Sequence, residues 1–209
     1  RGNRRPDRAS VQRVHRAFNN WHPEYVRSGV WPDDPHGSHR RKAACLTCEN
    51  PWRDEPVAAA MRKAETLVRS YVEAGFQKIH LDASMACGGE PDPTFEQIAE
   101  RAADLCAVAE RYAPDPAELF YVIGTEVPIP GGETDEPDAL DVTSVDRYRD
   151  TIQTHHAAFM ARDLQDAWTR IVSVVTQPGV DFGHTSIYPF VPEKAAPLSA
   201  AILTDDGLT

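Results

Sequence analysis

Three side chains that can bind a metal or move a proton each follow a predicted apolar strand: Asp82, Glu126 and His184. If the strands run parallel, their carboxyl ends share one edge of the sheet, and we expect the three side chains to converge there. Carboxylate and imidazole ligands from separate strands suit Zn²⁺ or another divalent cation acting as a Lewis acid on a ketose carbonyl or enediolate. Judged by residue type alone, the favoured interpretation is that the two acids cap the following helices or accept hydrogen bonds from loop amides. His184 is then an ordinary loop histidine.

Two further side chains near these three have alternative explanations. Glu133 follows a pair of glycines that would let a loop close over substrate, so it is either a loop acid or base or a solvated charge. His80 alternates with Asp82 along one strand, and a core histidine with satisfied hydrogen bonds is the favoured interpretation. Lys78 begins the same strand, away from the predicted catalytic edge, which argues against a Schiff-base aldolase.

Four potential zinc ligands lie close together near the start of the chain: His36, His39, Cys45 and Cys48. The Cys-x-x-Cys spacing is right for a zinc knuckle. The surrounding segment is basic and has no clear apolar period, so chance proximity is the favoured explanation.

The elements that must position these residues begin after residue 52. Helical spacing predicts one helix over 58–74, a second from the capping box Thr94-Phe-Glu-Gln97 to about Tyr112, and a third starting at Thr143. Apolar runs predict strands at 77–82, 119–124 and 171–176. Nearly continuous apolar strands that alternate with amphipathic helices indicate a parallel sheet covered on both sides, and hence an α/β fold.

Periodicity alone does not choose between an open doubly wound sheet and a closed barrel. No Gly-x-Gly-x-x-Gly follows a strand and no Gly-x-x-x-x-Gly-Lys occurs, so a dinucleotide or P-loop site has no support. We therefore predict a (β/α)8 TIM-barrel type fold, of which about half is recognisable because only three βα units are visible.

Composition excludes several classes of function. The 209 residues are 41% hydrophobic and carry 32 acidic and 22 basic side chains, a net charge of -10, which fits one folded domain and argues against nucleic-acid binding. There is no apolar run of membrane-spanning length and no signal-peptide pattern at the start, so we expect no membrane association and a cytoplasmic location.

Three segments are predicted. Residues 1–49 form an irregular basic leader that we expect to contribute no barrel strand, residues 50–198 form the partial barrel domain, and residues 199–209 form a divergent tail. The leader holds ten of the Lys and Arg residues against five acidic ones, whereas the rest of the chain is strongly acidic.

Three stretches resemble the family of D-tagatose-1,6-bisphosphate aldolase non-catalytic subunits of the GatZ/KbaZ type. They are Ala74-Gly-Phe-Gln-Lys-Ile-His-Leu-Asp-Ala-Ser-Met-Ala-Cys-Gly-Gly-Glu-Pro91, Tyr121-Val-Ile-Gly-Thr-Glu-Val-Pro-Ile-Pro-Gly-Gly-Glu133, and Thr154-His155 on to Gln177-Pro-Gly-Val-Asp-Phe-Gly-His184. The resemblance runs from Asn50 to about Pro197. Upstream, the family is expected to end a barrel strand in Gly-Gly-Asp-His, but only Asn50-Pro51-Trp52 remains, preceded by Cys45-Leu-Thr-Cys-Glu49, so the Asp-His pair is absent.

The resemblance favours a metal-dependent site over the purely structural explanations of these residues given above. It implies Asp82 and Glu133 as catalytic residues and Glu126 and His184 as ligands of Zn²⁺ or a similar metal. Ser84, Gly131 and Gly132 are the implied substrate-binding residues.

The same resemblance implies an accessory subunit that binds a sugar phosphate and supports a class II catalytic subunit of the GatY/KbaY type in galactitol or N-acetylgalactosamine breakdown. A metal-dependent ketohexose or ketose-phosphate 4-epimerase and an inactive truncated product are the alternatives. A tagatose-6-phosphate kinase label also accompanies the family, without a phosphate-cradling motif to support it here. Neither the sugar nor the oligomeric state is visible in the sequence.

Overall fold

A computed structural model of the chain describes residues 42–46, 52, 54–125, 142–179, 181–182, 187–188 and 190–204. The elements alternate between strand and helix through most of this length. In chain order they are β1 (Lys42–Leu46), α1 (Val57–Glu73), β2 (Phe76–Leu81), α2 (Phe95–Tyr112), a 3-10 turn (Pro116–Glu118), β3 (Phe120–Ile123), α3 (Val145–Met160), α4 (Gln165–Trp168), β4 (Ile171–Val174), β5 (Asp181–Phe182), β6 (Ile187–Tyr188) and α5 (Pro192–Thr204).

The first four strands form one parallel sheet in the order β1-β2-β3-β4. Each strand lies beside the one before it in the chain, with at least one helix in each connection. Among these four strands the order has no reversal point of the kind that divides a doubly wound sheet, and it is the order that neighbouring strands have in a (β/α) barrel. The two-residue strands β5 and β6 form a separate antiparallel pair.

Local sequence explains where the helices begin and end. The Thr94 side chain accepts from the Gln97 amide while the Gln97 side chain accepts from the Thr94 amide, so the predicted capping box starts α2. Helix α1 ends before Gly75, whose φ of +83° closes the turn into β2 and is easily adopted only by glycine. Ser144 caps α3 by accepting from the Arg147 amide, one residue after the predicted start at Thr143.

The core lies between the helices and one face of the sheet. Ile79 and Leu81 of β2 are fully buried in it, as are Tyr121 and Ile123 of β3. Small residues line the helix faces that meet these strands: Ala60, Ala64, Ala99, Ala102, Ala103 and Ala109. Because the strands alternate, the residues between the buried positions, such as Lys78 and His80, lie on the opposite face of the sheet.

The parallel α/β arrangement and the three predicted βα units are confirmed, with boundaries shifted by a few residues at most. The expectation that nothing before residue 49 forms a strand is wrong, because Lys42–Leu46 pairs with β2 over its whole length. This strand is only five residues long and most of its side chains are small, so we attribute its formation to the pairing with β2. Helix α5 crosses the boundary drawn at residue 198. None of the helices that the structure describes is both long and apolar enough to cross a membrane.

Candidate functional site

The carboxyl ends of β1 to β4 share one edge of the sheet, and the loop after β2 is the best described segment at that edge. Its first residue, Asp82, is only 2% exposed. Its Oδ1 accepts hydrogen bonds from the Ser84 amide at 3.2 Å and from the Ser84 hydroxyl at 2.8 Å. The predicted catalytic residue and one predicted substrate-binding residue therefore contact each other directly.

The surroundings of Asp82 favour its protonated form. Burial raises the pKa of the carboxyl, and the two hydrogen bonds from Ser84 offset only part of this effect. No basic side chain in the described ranges forms an ion pair with Asp82. A carboxyl pKa raised by burial is one of the features found in residues that act as acids or bases.

The rest of the loop after β2 is held by an ion pair that the sequence analysis missed. Arg101 of α2 donates from both terminal nitrogens to the two carboxylate oxygens of Glu90, and Glu90 Oε1 also accepts from the Cys87 amide at 2.6 Å. A signal existed in the sequence, because Arg101 stands on the apolar face of α2 between Ile98 and Leu105, where a lone charge needs a partner.

The loops after β3 and β4 are joined at their bases. The Thr143 amide donates to the Gln177 carbonyl at 2.9 Å, and the Gln177 amide donates to the Thr143 hydroxyl at 2.8 Å. On the other side of the loop after β3, the hydroxyls of Thr125 and Thr151 lie 2.7 Å apart. These bonds join the start of α3 to the segment after β4 and to the end of β3.

Two histidines, one in β2 and one in α3, are neutral at physiological pH. Burial, helped by the nearby charge of Lys78, lowers the pKa of His80 to about 4, and burial also lowers the pKa of His155 to about 4. His80 lies in β2 on the same face as Asp82, and the sheet register places Cys45 of β1 beside it. His155 lies in α3 and is fully buried. Its Nδ1 lies 2.8 Å from the Thr151 carbonyl, to which it donates.

Five predicted site residues lie outside the described residues: Glu126, Gly131, Gly132, Glu133 and His184. Their convergence with Asp82 remains a prediction. His36, His39 and Cys48 of the suggested zinc knuckle also lie outside them.

Among the predicted metal-binding and catalytic residues, Asp82 is the one whose side chain is described, so the fit of a metal ion is judged from its carboxylate. In the described part of the chain, no hydrogen bond reaches its Oδ2, so one carboxylate oxygen is open to a further partner and would suit a divalent cation. Within the same residues, no group of three or more His, Cys, Asp or Glu side chains could hold a metal ion. A metal site would therefore need donors from other segments, such as Glu126 and His184.

A second Glu–Arg pair lies at the opposite edge of the sheet. Arg170, just before β4, donates to both carboxylate oxygens of Glu110 at the end of α2, at 2.9 and 2.6 Å. The Tyr121 hydroxyl donates to the same carboxylate, and the Leu119 carbonyl accepts from Arg170 at 3.3 Å. This cluster ties α2, β3 and β4 together far from Asp82.

Known proteins resemble the chain over most of its length. The family described as D-tagatose-1,6-bisphosphate aldolase subunit GatZ/KbaZ-like matches residues 47–209. The D-tagatose-1,6-bisphosphate aldolase subunit GatZ of Escherichia coli O17:K52:H18 is 50% identical over 153 residues, which are 72% of this chain and 36% of that protein. The subunit of the same name from Escherichia coli K12 has the same identity and coverage.

One solved structure is also similar, that of a probable tagatose 6 phosphate kinase from Sinorhizobium meliloti 1021. It is 36% identical, with a TM-score of 0.67, and the match covers 79% of this chain and 38% of that one. The chain thus spans little more than a third of the length of the relatives it matches.

Proposed function

The chain belongs to the D-tagatose-1,6-bisphosphate aldolase subunit GatZ/KbaZ-like family, and from this premise we propose that it acts as a non-catalytic aldolase subunit. In this role it supports a separate class II catalytic subunit of the GatY/KbaY type. The observation that carries the proposal is the 50% identity to GatZ subunits over 153 residues. An identity of this level over most of the chain supports a shared function as well as a shared fold.

The chemistry of the described edge fits a supporting role better than autonomous cleavage. Aldol cleavage by a class II mechanism needs a metal ion held in fixed geometry together with a positioned acid or base. Strand β1 is present but ends in Ala44-Cys45-Leu46, where the family resemblance leads us to expect an Asp-His pair. Asp82 is the one predicted acid or base whose side chain is described at this edge.

The finer parts of the proposal follow from the family. The sheet would be part of the wall of a (β/α)8 barrel, whose remaining strands a protein of the relatives' full length would supply. The ligand would be a sugar phosphate, the setting galactitol or N-acetylgalactosamine breakdown, and the location cytoplasmic. Zn²⁺, if bound, would be held by Glu126 and His184 with Asp82 nearby, and would supply a Lewis acid for the ketose oxygen.

The test uses the purified 209-residue chain with Zn²⁺ and tagatose-1,6-bisphosphate, with and without a class II catalytic subunit. We expect little release of triose phosphate from the chain alone, and a longer half-life and higher turnover of the catalytic subunit when the chain is added. Asp82→Asn tests whether the buried acid at this edge contributes to the support, and Asp104→Asn, at an exposed acid on α2, is its matched control.

Two results would contradict the proposal. One is robust cleavage by the chain alone that His184→Ala abolishes, which would indicate an autonomous enzyme. The other is conversion of a ketohexose or its phosphate to the 4-epimer without cleavage, which would favour the epimerase. Kinase activity is not proposed, since the sequence contains no phosphate-cradling glycine motif.

A further inference from the structure

The Glu90–Arg101 ion pair lies in the loop that begins at Asp82, and nothing in the proposed function uses it. The side chains of Arg101 and Glu90 are 9% and 14% exposed. Arg101 Nη1 donates to Glu90 Oε1 at 3.0 Å and Nη2 donates to Oε2, so the contact is bidentate. Burial alone would raise the pKa of Glu90, but the hydrogen bonds from Arg101 and Cys87 outweigh it and lower the pKa, so Glu90 is ionised.

The pair restrains a very short stretch of chain. Glu90 Oε1 accepts from the Cys87 amide, and the Asp82 carboxylate accepts from the Ser84 amide, so only Met85 and Ala86 separate the two anchored residues. A chain of two residues between fixed ends has little conformational freedom. Movement at Cys87 would therefore be transmitted to Ser84.

A second contact closes the loop against the start of α1. The Gly88 amide donates to the Glu55 carbonyl at 2.9 Å. A Cβ placed on Gly88 would lie 2.3 Å from the Asp54 carbonyl oxygen, so the two backbones approach as closely as glycine allows. The loop after β2 is thus held from α2 on one side and from the base of α1 on the other.

We propose that Glu90 and Arg101 are positioning residues, which hold Ser84 against the Asp82 carboxylate at the edge of the sheet where the sugar phosphate would bind. The ligand in this statement rests on the proposed function, whereas the restraint on the loop does not. If the ion pair served stability alone, Glu90 Oε1 would need to accept only from Arg101. The same oxygen also accepts from the Cys87 amide. That shared oxygen couples the helix to the loop backbone.

The experiment follows the loop through the thiol of Cys87, a residue that is 4% exposed. Cys45→Ser and Cys48→Ser are introduced throughout, so that Cys87 and the fully buried Cys106 are the remaining thiols. Reaction with Ellman's reagent then measures opening of the loop through Cys87. Urea titration measures global unfolding, because Cys106 lies beside Tyr121 and Glu110 and would report local changes there. Hydrogen exchange of the Ser84 amide reports on its bond to Asp82.

Three variants are compared with a matched control in that background. Glu90→Ala and Arg101→Met break the pair, while Glu90→Gln keeps an acceptor for the Cys87 amide. The control is Glu110→Gln, which weakens a bidentate Glu–Arg pair of similar burial at the other end of α2. The variants are compared in urea concentrations that give each the same free energy of unfolding.

We expect Glu90→Ala and Arg101→Met to raise the rate of Cys87 labelling and of Ser84 exchange about tenfold, as the loss of one charge-assisted hydrogen bond would. Glu90→Gln should restore part of the protection, and Glu110→Gln should leave both rates unchanged. Equal increases in the Glu90 and Glu110 variants would show a general stabilising role and overturn the proposal, as would unchanged protection in Glu90→Ala. Should Glu90→Ala fail to fold, Glu90→Gln and Arg101→Met decide the question.

These measurements need neither substrate nor a partner subunit. A failed aldolase assay would therefore leave them unaffected, and a negative result here would leave the proposed function standing.

Discussion

Acid should destabilise the folded chain through His155, whose side chain is fully buried in α3. Nδ1 carries the proton and donates to the Thr151 carbonyl, so the neutral ring is already oriented. In the described part of the chain, no group lies within hydrogen-bonding distance of Nε2. A second proton on Nε2 would therefore place a positive charge in the core without a described partner, and burial accordingly lowers the pKa to about 4.

The sign and size of the effect follow from linkage. An unfolded histidine titrates near 6.5, so between pH 6.5 and about 4 the unfolded chain binds more protons than the folded one. The free energy of unfolding should fall as the pH drops through this window, whereas above pH 6.5 His155 contributes no pH dependence. A difference of two to three pKa units corresponds to a loss of roughly 3 kcal/mol by pH 4.

Urea unfolding at a series of pH values between 4 and 7.5 measures the effect. His155→Gln cannot titrate but keeps an amide donor for the Thr151 carbonyl, so its stability should fall less steeply with acid. His80, whose pKa is also lowered to about 4, keeps part of the slope in both proteins. His156→Gln, at the exposed neighbouring position, is the control and should retain the wild-type slope. An identical slope in His155→Gln and wild type would refute the argument.

Three further predictions concern stability. Arg170→Met should cost roughly 2–3 kcal/mol in urea unfolding, below the cost for a fully buried pair, because Glu110 would lose its bidentate partner while staying partly exposed. Arg170→Lys keeps the charge but not the two-nitrogen contact and should cost an intermediate amount, and full rescue by lysine would argue against the bidentate contact. Thr94→Ala should cost about 1 kcal/mol and Thr94→Ser almost nothing, since the cap needs only the hydroxyl. Asp82→Asn should raise the melting temperature at pH 7, because burial raises the pKa of the Asp82 carboxyl above that in the unfolded chain and so opposes folding at that pH. This gain should vanish below the ordinary carboxyl pKa, and a lower melting temperature at pH 7 would contradict it.

Local patterns predicted the elements whose signals lie within a few residues of each other. The capping box at Thr94 and the apolar run of β2 are examples, because each depends on neighbours along the chain. Strand β1 has no such signal. The run Lys-Ala-Ala-Cys-Leu becomes a strand through its pairing with β2, some 35 residues later in the chain, and no local rule contains that contact.

The contacts of the candidate site likewise include some between near neighbours in the chain and some between distant residues. Asp82 could be found from its place at the end of a strand, and its bond to Ser84 spans two residues. The contact between Glu90 and Arg101 spans eleven residues and depends on how α2 packs against the loop. The neutral state of His155 likewise depends on burial by other elements. Sequence reasoning placed Asp82 at the end of its strand but missed Glu90 and Arg101, which hold the loop that follows it.

The two Glu–Arg pairs of α2 lie at opposite edges of the sheet, and this placement separates two tasks. In sheets of this kind, the loops at the carboxyl edge carry function, while the opposite edge mainly contributes stability. Glu110 and Arg170 join three elements at the stability edge. At the carboxyl edge, Glu90 accepts from the Cys87 amide and from Arg101, which by our proposal holds the loop beside Asp82. The Glu90–Arg101 pair contacts the loop that begins at Asp82, and the Glu110–Arg170 pair does not. Substitutions that break the two pairs and lower the free energy of unfolding equally should therefore have unequal effects on the surroundings of Asp82.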